Sequence, residues 1–298
     1  VRVEEKQIIA AIDQTGLVAV PVPPAGAPLP PGPASREFAM LGEFLDATTG
    51  ETMSKTVQVL VDRAADRAVA SASLPLLQGL GITTIDAGVA AHGTRLQVAS
   101  ALAAAGIPRP ASLFGFSEES SIAAVNRLGY PSTLLGLTPG STTTVLHDAD
   151  TADAVIEHRV VLGEASEAIV VLQAGAPVAG ALARVHVIGG RAIAVDGASV
   201  STGDIALAEQ AARALRASLV AVEVYQSEQG TVVWDVLPVS DFRQARLLGE
   251  TSVAAAIAAV AHDLVPATEP VPAGAPNGLA HAFSKDGEER HHGYALSA

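Results

Sequence analysis

The sequence predicts a mixed fold of class α/β (α+β), and three observations carry that expectation. Short apolar runs alternate with segments of helical spacing through the first quarter of the chain. Three later pairs of apolar runs are joined by turn residues. Nearly half of the residues (49%) are apolar although aromatics make up only 3%, so alanine and valine must fill the interior, which suits closely packed helices and strands. Strand–helix alternation builds an α/β layer, and hairpins build antiparallel sheet.

The elements follow in order. Glu4–Gln14 places Ile8, Ile9 and Ile12 at helical spacing, and Gly16 sits where a helix stops. Leu17–Val22 reads as a short strand, and the proline-rich stretch PVPPAGAPLPPGPA forms neither helix nor sheet interior. Val57–Val61, Ala64–Leu80 and Ile82–Ile85 read as strand, helix and strand. Thr94 is placed to cap a helix with the body Leu96–Ala105, ended by Gly106 before Pro108. Ser117 caps a second helix, Glu118–Leu128, closed by Gly129. STLLGL and TTTVLH flank TPGS as a hairpin, and Asp150–His158 is helical. Arg184–Ile188 and Ala192–Val195 meet through Gly189–Gly190, a tight-turn signal. Helix Asp204–Arg216, the strands Leu219–Tyr225 and Thr231–Val236, and helix Thr251–Val265 complete the pattern. From Pro266 onward the Pro- and Gly-rich run without periodicity reads as a disordered tail.

Charge and composition exclude several classes of function. The formal net charge of −13 argues against nucleic acid, whose phosphates need a basic patch, and disfavours anionic membranes. With no cysteine there is no thiolate metal site and no thiol nucleophile. No apolar run reaches bilayer length, and the polar start VRVEEKQIIAAIDQTG is unlike a signal peptide, so a cytoplasmic location is expected. The eight histidines form no coherent pair on one element, and no Walker loop, GxGxxG or GxSxG pattern is present.

Four phrases carry a resemblance: AAAGIPRP (Ala103–Pro110), RLGYPSTLLGL (Arg127–Leu137), RVHVIGGRAIAV (Arg184–Val195) and VAVEVYQSEQGTVVWDV (Val220–Val236). In order and spacing they resemble the RimK/LysX type of ATP-grasp ligase, over roughly Val1 to Val265. The resemblance implies an ATP-grasp fold with an N-terminal pre-ATP-grasp α/β domain. It divides the chain into residues 1–88, a central subdomain 89–163, a C-terminal subdomain 164–265 and the tail 266–298. Only Val1–Val3 precede the first helix, so the family's first strand is short or missing here. The implied family activity joins a carboxylate to an amine through an acyl phosphate, with ATP and magnesium as cofactors.

That chemistry needs cations around a triphosphate. The family's two nucleotide lysines correspond to Arg95 and Leu135, and the lysines of the whole chain are Lys6, Lys55 and Lys285. The phosphate flap corresponds to PGSTTTV, with Gly140 as its glycine, and the adenine hinge to Gln173, Ala174 and Gly175. The resemblance makes Glu223 and Asp235 the metal ligands, with Leu237 in place of a third. The even positions Val220, Val222, Val224, Val232, Trp234 and Val236 are all apolar and predict one buried face. Glu223 and Asp235 then share the other face, about 7–8 Å apart as diagonal neighbours, close enough to hold one hard cation. Arg184 matches an arginine that holds substrate or phosphate, and Arg243 lies near the acyl-acceptor position. The short VDGASVSTGD stands where the family has its substrate loop.

Three readings follow. The first is a degenerate, catalytically impaired member that acts as a binding or regulatory partner, as a homo-oligomer or beside an active homologue. The second is an active carboxylate–amine ligase of small-molecule substrates with an altered nucleotide site. The third is a nucleotide sensor without turnover.

Overall fold

The computed structural model describes residues 3–17, 19, 44–45, 52–53, 59–63, 70, 74–75, 78, 83–88, 93–139, 143–163, 168–178, 180–227, 230–237 and 241–265. All of them belong to one unit, Val1–Val265; the second unit, Pro266–Ala298, lies outside the described residues together with the expected tail. The proline-rich loop, Gly140 and most of the expected strand Leu17–Val22 also lie outside them.

The chain opens with helix α1 (Val3–Asp13), the short strands β1 (Phe44–Leu45), β2 (Thr52–Met53), β3 (Val59–Val61) and β4 (Thr83–Ile85), then helix α2 (Arg95–Ala104). The middle contains β5 (Ser112–Gly115), α3 (Glu118–Leu128), β6 (Ser132–Leu135), β7 (Thr143–Leu146), α4 (Ala149–Glu157) and β8 (Val170–Ala174). The last part runs β9 (Leu182–Ile188), β10 (Arg191–Gly197), α5 (Thr202–Ala214), β11 (Leu219–Ser227), β12 (Gly230–Leu237), β13 (Arg246–Leu247) and α6 (Val253–Leu264).

Local signals set the helix ends. Thr94 closes a capping box with Gln97, Ser117 one with Ser120, and Ser201 one with Asp204, each satisfying backbone donors that a helix start leaves open. Gly106 and Gly129 follow their helices at φ +67° and +83°, a region that strains other residues. One π-turn, His158–Leu162, continues α4.

Two antiparallel sheets dominate. The first has the order β5-β8-β6-β7, so β8, which follows residue 163 in the chain, completes the central sheet. One face packs Leu134, Leu146, Val170 and Leu172 against Val125 of α3 and Ile156 of α4. The second sheet has the order β12-β11-β9-β10-β13. One of its faces sets Val185, Val187, Val220 and Val222 against α2 and α5 through Leu102, Ala208, Ala211 and Leu215. On the other face, Ile188, Ala194 and Leu219 meet Ile8 and Ile12 of α1 and Ile257 of α6. The charged residues of β9–β12 on this face lie outside that apolar cluster.

β12 departs from strict alternation. A bulge between Glu223↔Asp235 and Val224↔Val233 shifts the register by one residue. The expected single row is therefore corrected: Val233 joins Val220, Val222, Val224 and Val236 on the face against α2 and α5, in place of Val232 and Trp234, although Trp234 is itself buried. Trp234 stacks edge-on against Tyr225 instead, with centroids 5.8 Å apart.

Gly115 ends β5 directly under α3, where a Cβ would lie 2.6 Å from Ser121 Cα. A Gly115→Ala variant must push the helix away from its sheet. Overpacking of this kind costs about 1–3 kcal/mol, and the urea midpoint of the variant is expected to fall accordingly with its m-value unchanged.

Candidate active site

The site lies where the face of the second sheet turned away from α2 and α5 meets the central sheet. On the second sheet, register sets a charged row across four strands. Asp235 of β12 stands opposite Glu223 of β11, Glu223 opposite Arg184 of β9, and Arg184 opposite Asp196 of β10. Glu223 and Asp235 do share a face, as direct partners rather than the diagonal pair expected. Each is already matched to an arginine. Arg184 Nη2 donates to Glu223 Oε1 at 2.8 Å. Arg95 reaches Asp235 with two bonds, Nε to Oδ1 at 3.1 Å and Nη2 to Oδ2 at 2.6 Å.

Arg95 is the first residue of α2 and only 2% exposed. Its remaining nitrogen, Nη1, donates to the carbonyls of Gly136 (2.5 Å) and Thr138 (2.8 Å), just past the end of β6. Its backbone N–H donates to Leu137 O at 2.7 Å. One guanidinium thus joins the central sheet to β12. A planar fork of fixed donors does this, whereas an ammonium has no such fork. Two further bonds tie β12 to the same neighbourhood: Val233 N–H to Pro108 O at 2.9 Å, and Gln173 Nε2 to Trp234 O at 3.2 Å.

Arg109, one residue beyond Pro108, has a buried Nε without a partner. Burial draws its pKa below the usual arginine value; the charge of Asp235 opposes that shift, and Arg95 adds to it. Two arginines therefore share the field of one carboxylate.

On the central sheet, Leu135 and Gln173 are fully buried on the face turned away from α3 and α4, beside Thr133 and Val171. Leu135 supplies no charge there. The hinge's main-chain groups are engaged within the protein. Ala174 N–H donates to Ala111 O at 2.8 Å and Gly175 N–H to Pro131 O at 3.0 Å, while Gly175 O accepts from Thr133 Oγ1 at 2.7 Å.

Next to Arg184 on the same face lies His186, 1% exposed, with Nε2 2.6 Å from Asp196 Oδ2. Desolvation by burial pulls its pKa below 6.5, against the hydrogen bond and charge of Asp196. Arg243 stands apart from these groups. Its side chain is 55% exposed and pairs with Glu4 at 2.8 Å and Asp241 at 2.5 Å.

The structure therefore brings together Arg95, Arg184, Glu223 and Asp235, with Leu135, Gln173 and Ala174 on the facing sheet. Arg109, His186 and Asp196 are additions that the residue pattern did not single out. Each has an ordinary surface or turn reading in sequence, and only the sheet register unites them. Among the described residues no group of three or more His, Asp or Glu is arranged to hold a metal ion, and no helix is long and apolar enough to cross a membrane.

Two facing antiparallel sheets with a polar row between them define the ATP-grasp architecture. The chain is similar to the solved RimK-domain ATP-grasp protein from Sphaerobacter thermophilus, at 30% identity over 89% of this chain and 96% of that one, with a TM-score of 0.66. It therefore belongs to the RimK-type ATP-grasp family. The ATP-grasp ligase PsnB, solved with its minimal precursor, Mg and ADP, shares the fold at 14% identity, covering 89% of this chain and 95% of that one, TM-score 0.58. No family model matches the chain.

Two outcomes test the geometry. Arg95→Ala leaves Asp235 buried and unpaired, a loss of about 3–5 kcal/mol. Asp235→Ala is expected to strand the guanidinium at comparable cost, and the double variant to cost well under the sum in a denaturant cycle. His186 supplies a pH dependence. Its folded pKa lies below 6.5, so the unfolded chain binds the proton more readily, and stability rises with pH across that interval. The contribution is complete above about pH 6.5 and is lost as pH falls through the folded value. Melting curves of wild type should show that slope, and His186→Phe should flatten it.

Proposed function

We propose that this chain is a catalytically impaired RimK-type ATP-grasp protein that acts as a binding or regulatory partner. The observation that carries the reading is the Arg95–Asp235 pair. Both carboxylate oxygens of the principal metal-ligand candidate are occupied by an internal guanidinium. Glu223 is likewise engaged by Arg184.

The residues present do not fit ATP and magnesium. A divalent cation needs free carboxylate oxygens, and here a protein cation competes for them. The triphosphate needs compact positive charge where Leu135 is buried and apolar. The purine needs hinge donors that Ala111 and Pro131 already accept from. Loss of the ligand set leaves the scaffold as what remains useful, in a homo-oligomer or beside an active homologue. A cytoplasmic setting is in keeping with the cysteine-free composition.

The test is differential scanning fluorimetry with magnesium and ATP at millimolar concentration. The expected result is no rise in melting temperature, because stabilisation follows site occupancy. A clear rise would sink the reading. Release of phosphate with an amine and a carboxylate present would then favour the ligase, and its absence the sensor. The paired variant Arg95→Lys with Leu135→Lys restores two ammonium groups and frees Asp235 from a bidentate partner. It is expected to gain a magnesium-dependent ATP shift that wild type lacks.

A further inference from the structure

Arg184 stands in register between two acids, Glu223 on one neighbouring strand and Asp196 on the other. It uses only one of them. Nη2 pairs with Glu223 at 2.8 Å, while Asp196 is held through Oδ2 by His186 at 2.6 Å. Arg184 Nε, Asp196 Oδ1 and His186 Nδ1 are all buried without a hydrogen-bond partner. A donor and an acceptor on adjacent strands are thus left unpaired beside each other's residues, although leaving such atoms buried and unpaired is costly. The arrangement holds a second pairing in reserve: Arg184 with Asp196.

We propose that His186 is a positioning residue in a proton-sensitive switch, which holds Asp196 and so commits Arg184 to Glu223. When that hold weakens, Arg184 turns to Asp196 and Glu223 is released into the site. The inference rests on the reading that arginine pairing closes this site, and it names how the closure is regulated.

The direction follows from charge. A protonated His186 grips Asp196 as an ion pair and repels Arg184, which favours the Glu223 pairing. A neutral His186 holds Asp196 by a hydrogen bond alone, leaving the full carboxylate charge to attract Arg184. The groups facing the imidazole are Arg184 on its own strand, Asp196 on β10 and the charge of Asp241 in the segment after β12. β11 sets the uncharged Ala221 opposite it. Lower pH therefore closes Glu223, and higher pH loosens it. The imidazole is shielded from water, so burial sets its response first and these neighbours modify it.

The experiment is a pH titration of the full chain by NMR, with labelled arginine Nε and glutamate Cδ, in the absence of nucleotide. In wild type the Arg184 and Glu223 signals are expected to titrate with the midpoint of the His186 ring. Asp196→Asn removes the competing charge, so both signals should stay fixed in the paired state at every pH. His186→Gln keeps a donor to Asp196 without a titrating charge and should give a pH-independent position. His186→Phe should move both signals to those of the released state. Arg184 and Glu223 signals that ignore pH in wild type, or that keep the wild-type titration in Asp196→Asn, would overturn the switch. If His186→Phe does not fold, the wild-type and Asp196→Asn titrations still decide. Because ATP is absent, failure here is separable from a nucleotide-induced melting shift, which bears on the proposed function alone.

Discussion

A single buried guanidinium decides how this molecule is put together. Arg95 donates to Asp235 on one sheet and to two carbonyls at the end of a strand of the other. Removing both charges from water is costly, and the attraction between them offsets that cost only where geometry is good and remaining donors are used. Here the bidentate contact and the two carbonyls use Nε, Nη1 and Nη2 together. An arginine is suited to this because its donors are spread over a rigid plane. The same bond network holds β12 beside the 107–110 segment, where Val233 and Pro108 meet.

Once Asp235 is matched, the rest of the face follows by charge balance. Glu223 would be a second, half-buried anion beside it, and Arg184 from the neighbouring strand neutralises it. Asp196, next in the row, is met by His186. Across the strands the row runs acid, acid, arginine, acid; the like charges of Asp235 and Glu223, directly opposite each other, would repel, and each is offset by its own arginine. Arg109 is the member left over. Its buried Nε has no partner, and burial, with Arg95 adding to it, draws its pKa down against the charge of Asp235.

Much of the fold was legible because its signals are local. Thr94, Ser117 and Ser201 cap helices through residues three positions on, and Gly189–Gly190 turns a hairpin whose strands follow at once. β5 and β8 were not singled out as strands, although Val170–Leu172 is an apolar run; their pairing partners lie far away in the chain. The bulge in β12 was also hidden, since Val232–Val233–Trp234 offers apolar residues to either face and alternation cannot choose between them. For the site, the loss of a charge at Leu135 was readable from residue type. The inward turn of Arg95 was not, because the direction of a long side chain depends on a partner 140 positions away.

The two departures from the nucleotide-binding pattern therefore support each other physically. A leucine at position 135 is stable when buried, which requires that no phosphate and its water come near. An arginine at position 95 provides that exclusion by drawing β12 onto the end of β6. For a triphosphate to enter, Arg95 would have to leave Asp235, exposing one buried anion to several more within a few ångströms, with no lysine at position 135 to offset them. On the proposed reading, opposite charge inside the protein stands in for the charge that a ligand and its metal would bring. In this structure every carboxylate of the row has a partner within the protein.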